Sequence, residues 1–453
     1  MKKLRRILSL LPIAPLLYTP IITTGCSSKN DELWKAYWFY QYSDKNTIYK
    51  DENGNQRSKD DYTAKVDQIL DNIKNYGFNT IFVQMLSHGN AMFPSNDLLP
   101  SPYSASGPAD YSTELIFSYD PMQIFVDEAH KRDIAIHAWL NPMRLLTESE
   151  FANAAATHKY DNCTLIQWYN DTDEEEPKNG TYMVKVYDAS VSENRYYLNP
   201  AYEDVRNFIT HEAVEVANRY DLDGVHWDDY FYPPITQGGE EEKKATDLAF
   251  DQIAFNDANP GRTPEQKADL TIRRAWRRDN VNKLVAQVYA EIKNVSKNLQ
   301  FGIAPACKFE ESQQGYLCAD VACWASHDYY VDYLMPELYI TNYCTSYGEE
   351  SYQYRFNNNY ETWKSIFTND DVDFYVGINV NHCCTFNEKD LGWWTHNDNV
   401  ITELKYMAED GAAKGFTLFD YYATFNKYET TIVEGKEPEI SKYLPAVKDY
   451  PNI

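Results

Sequence analysis

Eight apolar runs of strand length, separated by stretches of helical periodicity, constrain this chain more than any other feature. They fall at 34–39, 78–86, 134–141, 223–228, 301–306, 331–340, 373–380 and 415–420. Between the first two, Val66, Ile69, Leu70 and Ile73 recur at helical spacing, and Gly77 supplies a C-terminal stop. Asp120-Pro121 opens the next helix, with an acidic cap and a proline in the first turn. Further helices are predicted over about 201–220 and 265–297, and around Ile401, Leu404, Met407 and Ala408. Strands that alternate with helices pair in parallel, because each crossover returns the chain to the same end of the sheet. Eight such units are the count of an α/β chain folded as a (β/α)8 barrel of TIM type. An open doubly wound sheet would place a glycine-rich turn after its first strand, and here that turn reads Phe39-Tyr40-Gln41-Tyr42. Two long polar insertions, 145–199 and 233–264, interrupt the rhythm, the first with a predicted hairpin near 181–187.

The first 25 residues do not belong to this pattern. Lys2, Lys3, Arg5 and Arg6 precede an apolar stretch at 7–22, and Thr23-Thr24-Gly25-Cys26 follows. That is the order of regions in an exported leader. The last four residues resemble a bacterial lipobox with Thr in place of the usual Leu, which implies cleavage before Cys26 and lipid on its thiol. The expected organisation is a lipoprotein signal at 1–25, a tether at 26–32, the barrel at 33–425 and a peripheral tail at 426–453. No later stretch is apolar for the roughly 20 residues of a membrane helix, so the folded part is expected to face outward from a bacterial cell membrane on its lipid anchor.

A net charge of −26 argues against nucleic acid as a partner. The seven cysteines other than Cys26 are an odd number with no Cys-x2-Cys pair, which fits neither a disulfide framework nor a zinc cluster. They read as small buried hydrophobes. No cofactor and no metal are expected.

Strand alternation predicts which side chains face the barrel axis. In the fourth run Val225 and Trp227 face the helices, while Gly224, His226 and Asp228 face inward, with Asp228 uppermost and Asp229 turned toward the loop. The third run sends His137, Trp139 and Asn141 inward, with Arg144 just above, and the sixth sends Tyr333, Met335, Glu337 and Tyr339. Phe82 and Gln84, Gly377, Asn379 and Asn381, and Asp420 complete the inward set. Barrel enzymes carry their chemistry at the C-terminal ends of the strands. A mouth of carboxylates and amides interleaved with aromatic rings suits a sugar, whose hydroxyls need dense hydrogen bonding while its C–H faces stack.

The segments AWLNPMR (138–144), DGVHWDDYFYP (223–233), FGIAP (301–305) and VDYLMPELY (331–339) resemble the glycosyl hydrolase-like 10 family. The resemblance implies a (β/α)8 barrel in a bacterial envelope protein, some of whose relatives are similar to enzymes that cut peptidoglycan glycan strands. This chain departs from the family pattern at Glu337, where Gln is usual, and at Ala306-Cys307-Lys308-Phe309-Glu310 after FGIAP. The fourth run also looks like the chitinase-type Asp-Gly-x-Asp-x-Asp-x-Glu motif, but His226 and Tyr230 stand at two of its acidic positions.

The expected activity is glycoside hydrolysis by two carboxyl groups, one protonating the leaving oxygen and one acting as nucleophile or base. Asp228 is the first candidate and Glu337 the second, with Asp229 and Glu310 behind them. Gln84, Asn141, Arg144, His226, Tyr230, Tyr339, Asn379 and Asp420 are expected to bind an oligo- or polysaccharide. Two rivals remain. One is a surface lectin that holds glycans on the same barrel without cutting them. The other is a metal-dependent hydrolase using His88, His137, His226 and Asp228, which lacks a His-x-His or His-x3-His pair.

Overall fold

The computed structural model describes residues 33–453 except 41–47, 52, 54, 174–176, 345–353, 385–389 and 426–437. The expected leader, Cys26 and the tether lie outside the described residues, as does the first part of the expected tail.

The barrel strands are β1 (Trp34–Phe39), β2 (Thr80–Ser87), β3 (Ala135–Leu140), β4 (Gly224–Trp227), β5 (Gln300–Ile303), β6 (Tyr333–Leu334), β7 (Asp373–Phe374, resumed after Tyr375 as Val376–Asn379) and β8 (Gly415–Phe419). Each pairs in parallel with its successor, and β8 pairs with β1. Closure runs through β7, whose first half pairs with β6 and whose second half pairs with β8. Past β6, Gly377 N donates to Pro336 O at 3.0 Å and Leu338 N to Gly377 O at 2.9 Å. The expected (β/α)8 barrel is the fold.

The pleat sorts side chains into two cores. Trp34, Ala36, Trp38, Phe82, Trp139, Tyr333, Met335 and Tyr375 fill the inside of the barrel. Tyr37, Phe39, Ile81, Val83, Val225, Trp227, Leu334 and Leu338 point outward into a layer shared with the helices. Burial at about 25 cal/mol per Å² of apolar surface holds each layer. The inner layer is crowded: a Cβ on Gly302 would lie 2.2 Å from the Tyr333 ring, and one on Gly377 would lie 2.6 Å from that of Trp38. Large rings on neighbouring strands are accommodated because these two positions carry no side chain.

The barrel helices are α1 (Lys59–Asn75), α2 (Pro121–His130), α3 (Glu203–Arg219), α4 (Leu270–Val295), α5 (Val321–Ser326), α6 (Phe356–Lys364), α7 (Asn399–Asp410) and α8 (Ile440–Asp449). The Asp120 carboxylate caps α2, accepting from Met122 N at 3.0 Å and Gln123 N at 3.2 Å. Helix α8 lies in the segment expected as a peripheral tail. It buries Tyr443, Leu444 and Val447, and Lys35 Nζ on β1 donates to Val447 O at 3.2 Å.

The first insertion forms a three-stranded antiparallel sheet of Arg144–Thr147, Met183–Asp188 and Glu193–Leu198, which contains the predicted hairpin. The second adds helices Glu240–Ala249 and Gln252–Ala258, fixed to α4 by buried ion pairs: Arg277 Nε meets Asp251 Oδ2 at 2.6 Å, and Arg273 Nη1 meets Asp251 Oδ1 at 2.5 Å.

Candidate functional site

His226 on β4 and Asp228 just past its end both point into the barrel and meet different surroundings. His226 is fully buried. Its Nε2 accepts from Trp38 Nε1 at 3.2 Å, which leaves Nδ1 to carry the proton of a neutral ring. That Nδ1–H faces Tyr333 Oη at 3.1 Å, and the Tyr333 hydroxyl in turn donates to His137 Nδ1 at 3.2 Å. Burial pushes His226 well below the ordinary imidazole value and His137 to about 4, so both rings are neutral, as this donor order requires. His226 was expected to bind substrate. Both its nitrogens are occupied by protein, and it belongs to the barrel interior instead.

Above this chain the carboxyl groups gather. Strand β4 ends into Asp228, and Glu337 follows β6, where Glu337 N donates to Pro305 O at 2.9 Å. Asp228 accepts from Trp139 Nε1 at 3.1 Å through Oδ2 and from Asp229 N at 2.9 Å through Oδ1. The side chains of Asp229 and Glu337 each hydrogen-bond to Asp228 as well. Three carboxyl groups thus meet at one point, with Asp228 in the centre.

Their protonation follows from these partners. Burial raises all three above the usual carboxylate range. For Asp228 the Asp229 amide, the Arg144 charge, the Glu337 hydrogen bond and the Trp139 indole all oppose that rise. Asp229 and Glu337 are pushed further up by burial first; the Asp228 charge then repels that of Asp229, the Asp229 and then the Asp228 charge repel that of Glu337, and the hydrogen bonds to Asp228 favour both protonated forms. Asp228 is therefore the first of the three to ionise, and the other two hold their protons toward it.

Arg144 supplies the positive charge. Its guanidinium carbon lies 3.8 Å from the Tyr230 ring centroid, a cation–π contact that sets it over the cluster. Asn141, at the end of β3, is 1% exposed, and both its amide nitrogen and its amide oxygen lack a protein partner. Leaving both groups unpaired costs about 1–3 kcal/mol each, and a ligand hydroxyl at the mouth would satisfy them. Tyr339 adds a ring stacked on Phe419, with centroids 5.7 Å apart, and feels the charges of Glu337, Asp228 and Asp229.

The sequence-derived set divides accordingly. The structure brings together Asp228, Asp229, Glu337, Arg144, Tyr230 and Tyr339. Asn379 instead uses its Oδ1 to accept from His382 N at 3.0 Å. Asp420 accepts from Ala423 N at 2.9 Å and from Asn381 Nδ2 at 3.2 Å, fixing the turn after β8. Gln84 is fully buried beside Trp139 in the β2–β3 register. Glu310 is exposed on a short helix, Phe309–Gln313. Among the described residues, the expected metal ligands His88, His137, His226 and Asp228 do not bring three ligand atoms together, and His137 and His226 are instead tied to Tyr333 Oη.

Sequence reading missed three groups. Trp139 was placed inward but not assigned to Asp228. Tyr40 stacks on Trp139 with centroids 5.8 Å apart, and its hydroxyl, raised to about 12 mainly by burial, feels Arg144 and Asp228. Tyr316, also raised to about 12 by burial, feels Asp229. Among 38 tyrosines nothing local marks these two.

The family model described as glycosyl hydrolase-like 10 matches residues 38–395. Glycosyl hydrolase DigH of Escherichia coli (strain K12) is 29% identical over 302 residues, which are 63% of this chain and 60% of that protein. Glycosyl hydrolase YngK of Bacillus subtilis (strain 168) is 27% identical over 329 residues, 68% of this chain and 54% of that protein. The match therefore spans little more than half the length of either relative. Among solved structures, the catalytic domain of β-amylase from Paenibacillus polymyxa aligns with a TM-score of 0.50 at 10% identity, covering 92% of this chain and 98% of that one. That likeness is one of fold.

Proposed function

The chain belongs to the glycosyl hydrolase-like 10 family, and from that premise we propose that it is a glycoside hydrolase whose working carboxyls are Asp228 and Glu337. The observation that carries this reading is the convergence of Asp228, held by the Trp139 indole and the Asp229 amide, and Glu337 at the mouth of the barrel, with burial raising both and Glu337 the further. Glycosidic cleavage asks for this pairing of one acid and one carboxylate. Glu337 donates its proton to the leaving oxygen, and Asp228 supplies the negative charge that meets the oxocarbenium-like centre, as nucleophile or through a water. Asp229, hydrogen-bonded to Asp228, orients it. Asn141 and Arg144 hold substrate hydroxyls, and Tyr230 and Tyr339 offer faces for the sugar ring. An oligo- or polysaccharide is the substrate class. Lipid on Cys26 and an outward-facing position on a bacterial cell membrane complete the proposal, and mass spectrometry of the native N-terminus tests that part.

Contact between the two carboxyls leaves no room for the water that an inverting glycosidase holds between carboxyls roughly 6.5–9.5 Å apart. Substrate entry therefore has to break the Asp228–Glu337 contact and move Glu337 to the glycosidic oxygen. The same closeness favours a second reading, a barrel that binds glycans without cutting them. The deciding experiment screens amino-sugar and neutral polysaccharides for both retention and released reducing ends. Release that disappears in Asp228→Asn, with binding preserved, supports hydrolysis. Binding with no release from any glycan, or release undiminished in Asp228→Asn, overturns it.

A further inference from the structure

A second cluster of ionisable side chains lies away from the mouth, where the segment after β2 meets α3. Among the described residues, Asp97, His211 and Glu215 form the one group of histidine, cysteine and acidic side chains whose ligand atoms all lie within 4.8 Å of one another. His211 and Glu215 are one helical turn apart on α3 and so project on the same face. His211 Nε2 lies 3.1 Å from Asp97 Oδ2.

Ser95 organises the two carboxylates. Its Oγ donates to Glu215 Oε2 at 3.0 Å and accepts from Asp97 N at 3.1 Å and Leu98 N at 3.2 Å. One hydroxyl thus orients the Glu215 carboxylate and folds the Asp97 backbone toward it, the kind of outer-shell contact that fixes metal ligands. Positive charge nearby is thin, since the Arg219 guanidinium reaches Glu215 only at 4.0 Å.

The neighbouring residue is harder to explain as ordinary surface chemistry. Glu212 is 1% exposed, and neither of its carboxylate oxygens has a hydrogen-bond partner. Three positions before Glu215 on α3, it projects on the Glu215 side of the helix. An unpaired buried carboxyl therefore backs the cluster from inside, while Asp97 and His211 face solvent on its other side.

We propose that Asp97, His211 and Glu215 form a binding site for a divalent first-row transition metal ion such as Zn²⁺, which ties the segment after β2 to α3. One imidazole nitrogen and two carboxylate oxygens suit such an ion, whereas Ca²⁺ prefers a shell of oxygens alone. Three protein ligands leave a coordination position for water. The site is independent of the glycosidase reading, because none of its residues belongs to the carboxyl cluster at the mouth.

The test is calorimetric titration of the chelator-treated full chain with ZnCl2, MnCl2 and CaCl2 separately, alongside His211→Ala, Glu215→Gln and Ser95→Ala. One Zn²⁺ per chain is expected, with Mn²⁺ weaker and Ca²⁺ weakest, and Zn²⁺ raises Tm. His211→Ala and Glu215→Gln abolish that binding, and Ser95→Ala weakens it roughly 10- to 100-fold. His211 and Asp97 are half exposed, so the metal-free variants keep the Tm of the metal-free parent, which separates lost binding from lost folding. No stoichiometric Zn²⁺ binding, or binding unchanged in His211→Ala because zinc sits on thiols elsewhere, overturns the proposal.

Discussion

Strand β4 passes through two environments within three residues. At His226 the barrel interior is closed: Trp38, His226, Tyr333 and His137 form one donor-to-acceptor chain in neutral states. At Asp228 the interior is open to charge, with three carboxyl groups, one guanidinium above them and a buried amide left unpaired at Asn141. Both layers are polar and lined by aromatic rings. The lower layer spends its hydrogen bonds on itself, apart from His137 Nε2, which is left without a partner, and specifies barrel packing. The upper layer carries mutually repelling groups that protein partners satisfy incompletely, and such frustration marks the place where a ligand acts.

Substitutions at the two levels break or sharpen this contrast. The largest effect is expected from Glu337→Gln, which keeps the shape and removes the acid. Its kcat falls on the order of 10²- to 10⁴-fold on a natural glycan, and activated aryl glycosides, which need less protonation, recover much of the loss. The alkaline limb of the pH profile disappears with it, because that limb reports ionisation of a group raised well above the usual carboxylate range.

His226→Leu attacks the lower layer. It strands Trp38 Nε1 and weakens the tie on Tyr333, and each orphaned buried group costs about 1–3 kcal/mol. Denaturant unfolding measures that loss, while the pH profile of the folded fraction keeps its shape. A shifted profile would mean that the two layers are coupled.

A smaller, diagnostic change is expected from Trp139→Phe. It removes the indole N–H that holds Asp228 toward its charged form. The acid limb of the profile moves up by about one pKa unit, a bond of roughly 1.4 kcal/mol, with little change in unfolding.

Asp229→Asn is the mildest. Asp229 is raised well above its ordinary value by burial and the Asp228 charge, so the folded state binds its proton more tightly than the unfolded chain does. That contribution is fully present below the unfolded carboxylate pKa and is lost as pH rises toward the folded value. The Tm advantage of Asp229→Asn over the parent therefore grows from pH 4 to pH 8. A gain that shrinks over this range would place the proton elsewhere in the cluster.

Much of this was legible along the chain. Period-two alternation put Asp228, Glu337, Trp139 and Tyr333 inside the barrel, because the pleat leaves each residue only two directions. Alternation assigns a direction and no partner. His226 and Asp228 look alike in sequence, each a polar inward residue on one strand. What separates them is Trp38, 188 positions away, and Tyr333, 107 positions away, which close on His226 and leave Asp228 to the mouth. Asn379 and Asp420 differ from both, since each accepts from a turn amide three positions along, His382 N and Ala423 N, which alternation does not mark. Tyr40 and Tyr316 stayed invisible because one tyrosine among many carries no signal until its hydroxyl is near a charge.

The sequence by itself determined the number of strands, their parallel sense and the inward face of each, since these follow from apolar periodicity and the geometry of crossovers. Only the tertiary structure decided which inward groups share protons and which satisfy each other. Hydrogen bonding and charge repulsion act over a few ångströms in space, and a (β/α)8 barrel brings its strands to those distances without regard to their separation along the chain.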